Sequence, residues 1–396
     1  MTSPAPLGAI RILDFTRVLS GPYCTAMLAD LGAEVIKIES AAGDDQRHMG
    51  AMHEDISANF EMINRSKRSL QLDLKSPEAR EIIDALALEC DVVVENFRPG
   101  VAARLGLDAA RLGALNPRLV YCSISGFGQS GPLSDLPSYD VVAQAMSGFM
   151  SVTGDTDGPP MMAGDSIGDT VAAIFAAFGI ATALFRRERT GLGDVIDVSM
   201  FDSLLALLPT VVAQYQVTGK APGRAGNAHP LSAPFGAFRA RDNHFILAVA
   251  NTQLFEVLSR TIGRPELAAD PSFKTDQARK ANESKLRAAI EGWAAGLDAE
   301  AAIAKLRAAG LPAAPIWSVA EAVDGPQAAA RGLFRTIDHP NLGSFRLPEQ
   351  PVAFASSSRG NGRPAPALGA DGADILQDVL GWDEARITAA RARGTI

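Results

Sequence analysis

In the N-terminal half of the chain, short apolar runs alternate with stretches whose apolar positions recur at helical spacing. Ile10-Arg-Ile-Leu-Asp-Phe15, Glu34-Val-Ile-Lys-Ile38, Asp91-Val-Val-Val-Glu95 and Arg118-Leu-Val-Tyr-Cys-Ser-Ile124 read as buried strands. Between them the pattern predicts a helix over 22–31, with Pro22 at its first position, and another over 76–90. The second carries a full start signal: Ser76 as cap, Pro77 at the first helical position and Glu78 in the first turn. Strands separated by helices need crossover connections, so the alternation predicts a parallel sheet with helices on both faces.

The pattern changes near residue 220. Residues 219–234 are rich in Gly, Pro, Asn and Ala and read as a long loop or linker. A strand pair over 236–250 and amphipathic helices over 285–297 and 301–309 then predict a smaller α+β domain. Beyond Phe334 the chain is strand-like again, then loose through Ser356-Ser-Ser-Arg-Gly-Asn-Gly-Arg-Pro-Ala-Pro366. It closes with a helix over 371–380 and a short one after Trp382. A chain of 396 residues exceeds one average core, so two domains are expected.

Composition narrows the class. The chain is 47% hydrophobic and 21% charged, with a net charge of −8, which argues against nucleic acid or an anionic membrane as partner. Cys24, Cys90 and Cys122 form neither a disulfide framework nor a zinc spacing, and no metal site is expected. The opening Met-Thr-Ser-Pro-Ala-Pro has no basic region followed by an apolar core. The longest apolar run, 171–185, falls short of the ~20 residues that span a bilayer. These features predict a cytoplasmic protein.

The candidate chemistry centres on Asp169, immediately before that apolar run. Asp is a favoured helix cap, but a helix apolar all round is buried, and a carboxylate at its start must be paired, hydrogen-bonded or facing a cleft. Helix N–H groups would keep it ionised. Asp165 competes for the same role on this reading. Three loops that follow strands are candidate ligand surfaces: Asp14 to Pro22, Glu95-Asn-Phe-Arg-Pro-Gly100 and Ser125-Gly-Phe-Gly-Gln-Ser-Gly-Pro132. The basic run from Asn64 to Lys75 is either a solvated face or a phosphate site, and Asp140 after Tyr139 is either a cap or part of the site. The glycine spacing of a dinucleotide fold follows none of the strands.

Together these segments resemble the class III coenzyme A transferase (CaiB/BaiF) family over nearly the whole chain. The likeness runs through Leu13-Asp-Phe-Thr-Arg-Val-Leu-Ser-Gly-Pro22, Leu31-Gly-Ala-Glu-Val-Ile-Lys-Ile-Glu39, Val94-Glu-Asn-Phe-Arg-Pro-Gly100, Gly226-Asn-Ala-His-Pro230 and Gly310-Leu-Pro-Ala-Ala-Pro315. In the family the nucleophilic aspartate lies ten residues before the Gly-Ile of the buried helix, which here selects Asp169 over Asp165. Val18, Leu72, Lys75, Asn96, Phe97, Arg104 and Tyr139 fall on positions that line the coenzyme A site. The resemblance implies transfer of CoA between carboxylic acids through an aspartyl anhydride and an aspartyl-CoA thioester. The CoA thioester is then a substrate, and no cofactor is tightly bound.

Departures from the family pattern refine the expectation. The glycine-rich loop of the formyl-CoA branch is missing after Gly236, and Leu19 replaces that branch's glutamine, which argues against oxalate as acceptor. The overall pattern is similar to transferases that use succinyl-CoA and a second dicarboxylic acid, with Arg17 and Arg47 as candidates for the distal carboxylate. An α-methylacyl-CoA racemase of the same fold would place a histidine where this chain has Tyr139. A CoA-binding protein without catalysis is the remaining alternative. The resemblance also implies a Rossmann-like large domain from 1–204 and 351–396, a small α+β domain at 226–325, linkers at 205–225 and 326–350, and an interlocked homodimer.

Overall fold

The computed structural model describes residues 5–357, 360 and 362–396. Parts of two expectations, the chain start at 1–4 and the loose segment at 358, 359 and 361, lie outside them. The described residues form two compact units, one within 1–147, 163–208 and 328–396, the other within 148–162 and 209–327. The stretch 148–162, read from sequence as part of the large domain, packs with the second unit. The stretches read as linkers are themselves structured, with a helix at Pro209–Thr218 and a hairpin of Phe334–His339 and Gly343–Pro348.

The first unit is built on six parallel strands: β1 (Arg11–Asp14), β2 (Glu34–Glu39), β3 (Arg68–Gln71), β4 (Val92–Glu95), β5 (Val120–Ser125) and β6 (Asp194–Ser199). Their order in the sheet is β3-β2-β1-β4-β5-β6. In register, Leu13 lies between Ile36 and Val93. All four residues of β4 are buried, as expected of a strand covered on both faces. The helices α1 (Ser20–Asp30), α2 (Ala58–Asn64), α3 (Pro77–Glu89), α4 (Val101–Leu105), α5 (Asp140–Met146) and α6 (Ile167–Thr190) fall between the strands. At α3 the Ser76 hydroxyl accepts the Ala79 N–H at 3.0 Å with Pro77 in the first turn, as the sequence predicts. At α1 the helix begins two residues before Pro22, where proline still costs no hydrogen bond because the first turn's N–H groups have no helical partner. Ile375, Leu376 and Ile387 of the C-terminal helices, with Trp382 between them, join the core formed by Leu13, Ile36, Leu70 and Ile82.

The long helix α6 departs from the expectation. It is not buried all round: Ala172, Ala173, Ala176, Ile180 and Leu184 face inward, while Ile174, Phe178 and Phe185 are exposed, Phe178 by 68%. Its small-residue face packs against α1 and the sheet, and the apolar side chains of its other face are exposed among the described residues. By length and composition this helix passes as long and apolar enough to cross a membrane, unlike the shorter run read from the sequence.

The second unit has its own core. Strands β7 (Phe235–Arg239), β8 (His244–Ala248) and β9 (Ala313–Pro315) form an antiparallel sheet with β8 in the centre. Phe238, Phe245, Phe255, Leu286, Ile290 and Leu306 pack together beneath it. Arg279 is buried there, donating to the Ala233 carbonyl at 3.0 Å and lying over the Phe255 ring.

Candidate active site

The sheet order reverses between β1 and β4, and in open parallel sheets the crevice beyond such a point is the usual ligand site. The loops leaving these two strands wall a cavity of about 590 Å³, with Gly126 after β5 and Asp169 of α6 in the same wall.

The loop after β1 is fixed by buried charges. Asp14 is fully buried; its Oδ1 accepts the Thr16 N–H at 2.8 Å, and its Oδ2 accepts the Thr25 hydroxyl at 2.7 Å and Lys67 Nζ at 3.0 Å. Lys67 also donates to the Pro22 carbonyl at 3.0 Å and Asn64 Oδ1 at 2.8 Å. Burial alone would raise the Asp14 pKa, but Lys67, Lys37 and the Thr16 and Thr25 hydroxyls hold it below the usual carboxylate range. Burial brings Lys67 down to about 8, against the pull of Asp14. A second buried pair stands beside the first: Lys37 Nζ donates at 2.8 Å both to the Thr16 carbonyl and to Asp44 Oδ2. Asp44 Oδ1 in turn accepts the Val18 N–H at 2.9 Å. Val18 sits at φ 66, a left-handed conformation that a β-branched residue adopts only when its surroundings impose it.

These ion pairs overturn the phosphate-site reading for Arg65, Lys67 and Arg68 and, among the described residues, leave only Lys75 of the basic run exposed and unpaired. Arg65 pairs with Asp30, Lys67 with Asp14 and Arg68 with Glu34, so their charges stitch α1, β1 and β2 together inside the protein. One signal was legible. Lys37 lies in the middle of an apolar strand, where a lysine needs a buried partner.

Asp169 is the third residue of α6, whose cap position is Ser166, so it is not the cap. The neighbouring Gly168 N–H is taken by Asp140 Oδ1 at 2.6 Å. Burial first, and then the charge of Asp140, push the Asp169 carboxyl up to about 7, opposed by a hydrogen bond from the Ser20 side chain. The expectation that helix N–H groups keep it ionised is therefore corrected. Among the first-turn N–H groups, that of Gly168 is already bonded to another carboxylate. Asp165 is exposed, accepts the Ser166 N–H at 2.7 Å and does not line the cavity.

Of the residues singled out from sequence, Val18, Asn96, Phe97 and Tyr139 line the cavity with Asp169. Asn96 Oδ1 accepts the Arg17 N–H at 2.9 Å, and the Phe97 N–H is donated to Glu95 Oε2 at 2.7 Å. Leu72, Lys75 and Arg104 are not in the wall. Leu72 is fully buried in the core that Phe97 packs against, and Lys75 and Arg104 extend into solvent. Arg17 lines the cavity, half-exposed and paired with Asp45. Arg47 does not: it grips Glu39 at 2.8 and 2.7 Å, lies over Phe60 and lines a separate cavity. It is thus removed as a candidate for a substrate carboxylate. The glycine loop is also largely self-satisfied, with Gly128 N–H on Ser125 Oγ and Gln129 N–H on Asp197 Oδ2, both at 2.9 Å.

Sequence reasoning named the loops that carry Ser20 and Arg98 without singling out Ser20, and it left Asp140, which does not line the wall, undecided. Among the described residues no histidine lines the cavity and no cluster of His, Cys, Asp and Glu could hold a metal. Chemically, the arrangement presents a carboxylate of raised basicity in a partly enclosed cavity, which suits nucleophilic or acid–base work.

Residues 7–372 match a family model described as CoA-transferase family III. The chain is 43% identical over 384 residues to an acetyl-CoA:oxalate CoA-transferase of Acetobacter aceti, covering 95% of this chain and 97% of that one. It is 36% identical over 396 residues to a succinyl-CoA:glutarate CoA-transferase of Mus musculus, covering 100% of this chain and 91% of that one. Among solved structures, a CaiB/BaiF family protein from Brucella suis is similar with a TM-score of 0.83 and 37% identity, covering 95% of this chain and all of that one.

Proposed function

This chain belongs to CoA-transferase family III and is an enzyme, and on that premise we propose that it moves CoA from succinyl-CoA to a second dicarboxylic acid through acyl intermediates on Asp169. The observation that carries the reading is Asp169 itself, a carboxyl raised to about 7 in the wall of the cavity at the sheet's switch point.

In the proposed sequence, Asp169 carboxylate attacks the thioester carbonyl and the C–S bond breaks, giving a mixed anhydride and CoA thiolate. The thiolate attacks the aspartyl carbonyl, the donor leaves as its carboxylate, and an aspartyl-CoA thioester remains. The acceptor carboxylate then runs the steps in reverse. Val18, Asn96, Phe97 and Tyr139 are proposed to hold the thioester end of CoA, which suits their place in the wall. Lys75 and Arg104, free in solvent, are proposed to reach the phosphates, with Leu72 supporting Phe97 from the core. Arg17 is the proposed partner of the acceptor's distal carboxylate, exchanging Asp45 for it.

A second reading of the substrates is acetyl-CoA with oxalate, favoured by the relative at 43% identity, whose name gives that pair. A racemase has less support, since no histidine among the described residues lines the cavity. We also propose that the enzyme is a homodimer. The exposed Ile174, Phe178 and Phe185 of α6 and Val195 of the edge strand β6 form an apolar face that a second copy would cover.

The decisive experiment is incubation with succinyl-CoA or acetyl-CoA, followed by intact mass, peptide mapping and an acceptor panel of oxalate, glutarate, citramalate and mesaconate. A hydroxylamine-sensitive adduct at Asp169 is expected. Full CoA exchange by Asp169→Ala would end the mechanism, and α-deuterium incorporation without CoA exchange would favour the racemase.

A further inference from the structure

Asp140 opens α5 beside Tyr139 and makes contacts at both of its oxygens. Oδ1 accepts the Gly168 N–H at 2.6 Å, and Oδ2 accepts Gln144 Nε2 at 2.6 Å. Gln144 Oε1 accepts the Ala163 N–H at 2.9 Å, so the segment before α6 is tied back to the same helix. The seat depends on a missing side chain, because a Cβ on Gly168 would stand 2.8 Å from Asp140 Oδ1 and 3.0 Å from Leu204 Cδ1. A second carboxylate is thereby fixed one residue from Asp169.

We propose that Asp140 is a positioning residue that favours the acylated state of Asp169: through Gly168 it fixes the start of α6, and its charge opposes the free carboxylate but not the neutral thioester. The inference rests on the transferase reading. Free Asp169 carries a negative charge in a partly buried place beside another. In the aspartyl-CoA thioester that charge is gone, and the donor has left with it as a carboxylate. Like-charge repulsion and desolvation are both relieved by acylation. The other groups around the cavity leave this balance to Asp140. Arg17 and Asp45 pair with each other, Arg98 and Tyr139 line the wall, and Ser20 supplies a hydrogen bond. On elements packed against α6, Tyr23, Cys24 and Asp30 of α1, Tyr121 and Cys122 of β5, Asp194 and Asp197 of β6 and Asp202 of the following helix carry the remaining titratable groups. Among all of these, Asp140 is the charge that acts on Asp169.

Asp140→Asn keeps an acceptor for the Gly168 N–H and removes the charge. The acid limb of the kcat/KM profile should then fall by about one pH unit. The ratio of Asp169 thioester to free enzyme, at fixed succinyl-CoA and succinate and above about pH 7, should drop about tenfold, which is the same change read as an equilibrium constant. A folded variant whose limb and thioester fraction both match the wild type overturns the proposal. A wild-type enzyme that forms no adduct at Asp169 instead sinks the transferase mechanism, so the two failures are distinguishable. If the variant does not fold, Asp140→Ser, which also keeps an acceptor for the Gly168 N–H and removes the charge, is put through the same two measurements. A lowered limb and a lowered thioester level support the proposal, and wild-type values of both overturn it.

Discussion

The Asn96 side chain grips the backbone of Arg17 at both polar atoms, accepting its N–H at 2.9 Å and donating to its carbonyl at 2.7 Å. A residue after β4 thereby sets the course of the loop after β1, the two strands that flank the switch point. With the grip of Asp44 on Val18 N–H, this holds a strained Val18 in the cavity wall.

Removing that grip should disorder the wall more than the fold. Asn96→Ala is expected to lower kcat/KM by about 10- to 100-fold, since misplacement of a binding loop alone costs that much. KM for the CoA ester should carry most of the loss, and thermal unfolding should change by no more than about 1 kcal/mol. Steady-state kinetics beside a melting curve checks both.

The pH dependence follows from Asp169, raised to about 7 by burial and by Asp140. On the proposed mechanism, in which the Asp169 carboxylate is the nucleophile, kcat/KM should climb with pH through about 7 and level off above it. Stability has the opposite slope. In the unfolded chain the group ionises at the ordinary 3.8, so the folded state holds the extra proton between 3.8 and about 7 and loses stability as pH rises through that window. Asp169→Asn should therefore stabilise the protein at pH 8, by at most about 4 kcal/mol at ~1.4 kcal/mol per pK. The gain should vanish near pH 4. Denaturant melts at the two pH values measure this, and equal gains at both would contradict it.

The buried ion pair of Lys67 with Asp14 gives a third expectation. Lys67→Met leaves Asp14 charged and enclosed with one fewer partner, and should cost about 3–5 kcal/mol. The double variant Lys67→Met, Asp14→Leu should recover part of that loss, although it also frees the loop that Asp14 orders through Thr16. Unfolding free energies of Lys67→Met, Asp14→Leu and the double variant, beside the wild type, form the cycle.

The apolar face of α6 gives a fourth. Phe178, 68% exposed, lies on the face proposed to meet a second copy. Phe178→Asp should convert a dimer to monomer in light scattering while leaving the monomer's circular dichroism unchanged. A wild type that is already monomeric would remove the proposal.

Four of the six parallel strands, β1, β2, β4 and β5, were readable because they are largely apolar runs bounded by polar or glycine residues, the signature of strands covered on both faces, whereas β3 (Arg68-Ser-Leu-Gln71) and β6 (Asp194-Val-Ile-Asp-Val-Ser199) carry no such run and were not read. The start of α3 was readable at Ser76-Pro77 because a cap is a local matter of neighbouring atoms. Where the reading failed, the deciding partner was distant in sequence. Arg65, Lys67 and Arg68 look like a surface cluster until Asp30, Asp14 and Glu34 are brought against them. Arg47 looks available until Glu39 claims it. The apolar composition of α6 gave no hint that half of its circumference would be left uncovered, because covering depends on which elements happen to lie alongside.

The sequence by itself determined much of the strand and helix alternation and the family, and it singled out Asp169 as the proposed nucleophile through its register against Gly179-Ile180. Those features are local, or are carried by order along the chain. The tertiary structure decided the state of that aspartate. Asp140 reaches Gly168 from 28 residues away, Ser20 arrives from α1, and packing removes the water that would have kept Asp169 an ordinary acid. A proton's affinity for a carboxylate is fixed by what surrounds it in space, and no spacing along the chain encodes that directly.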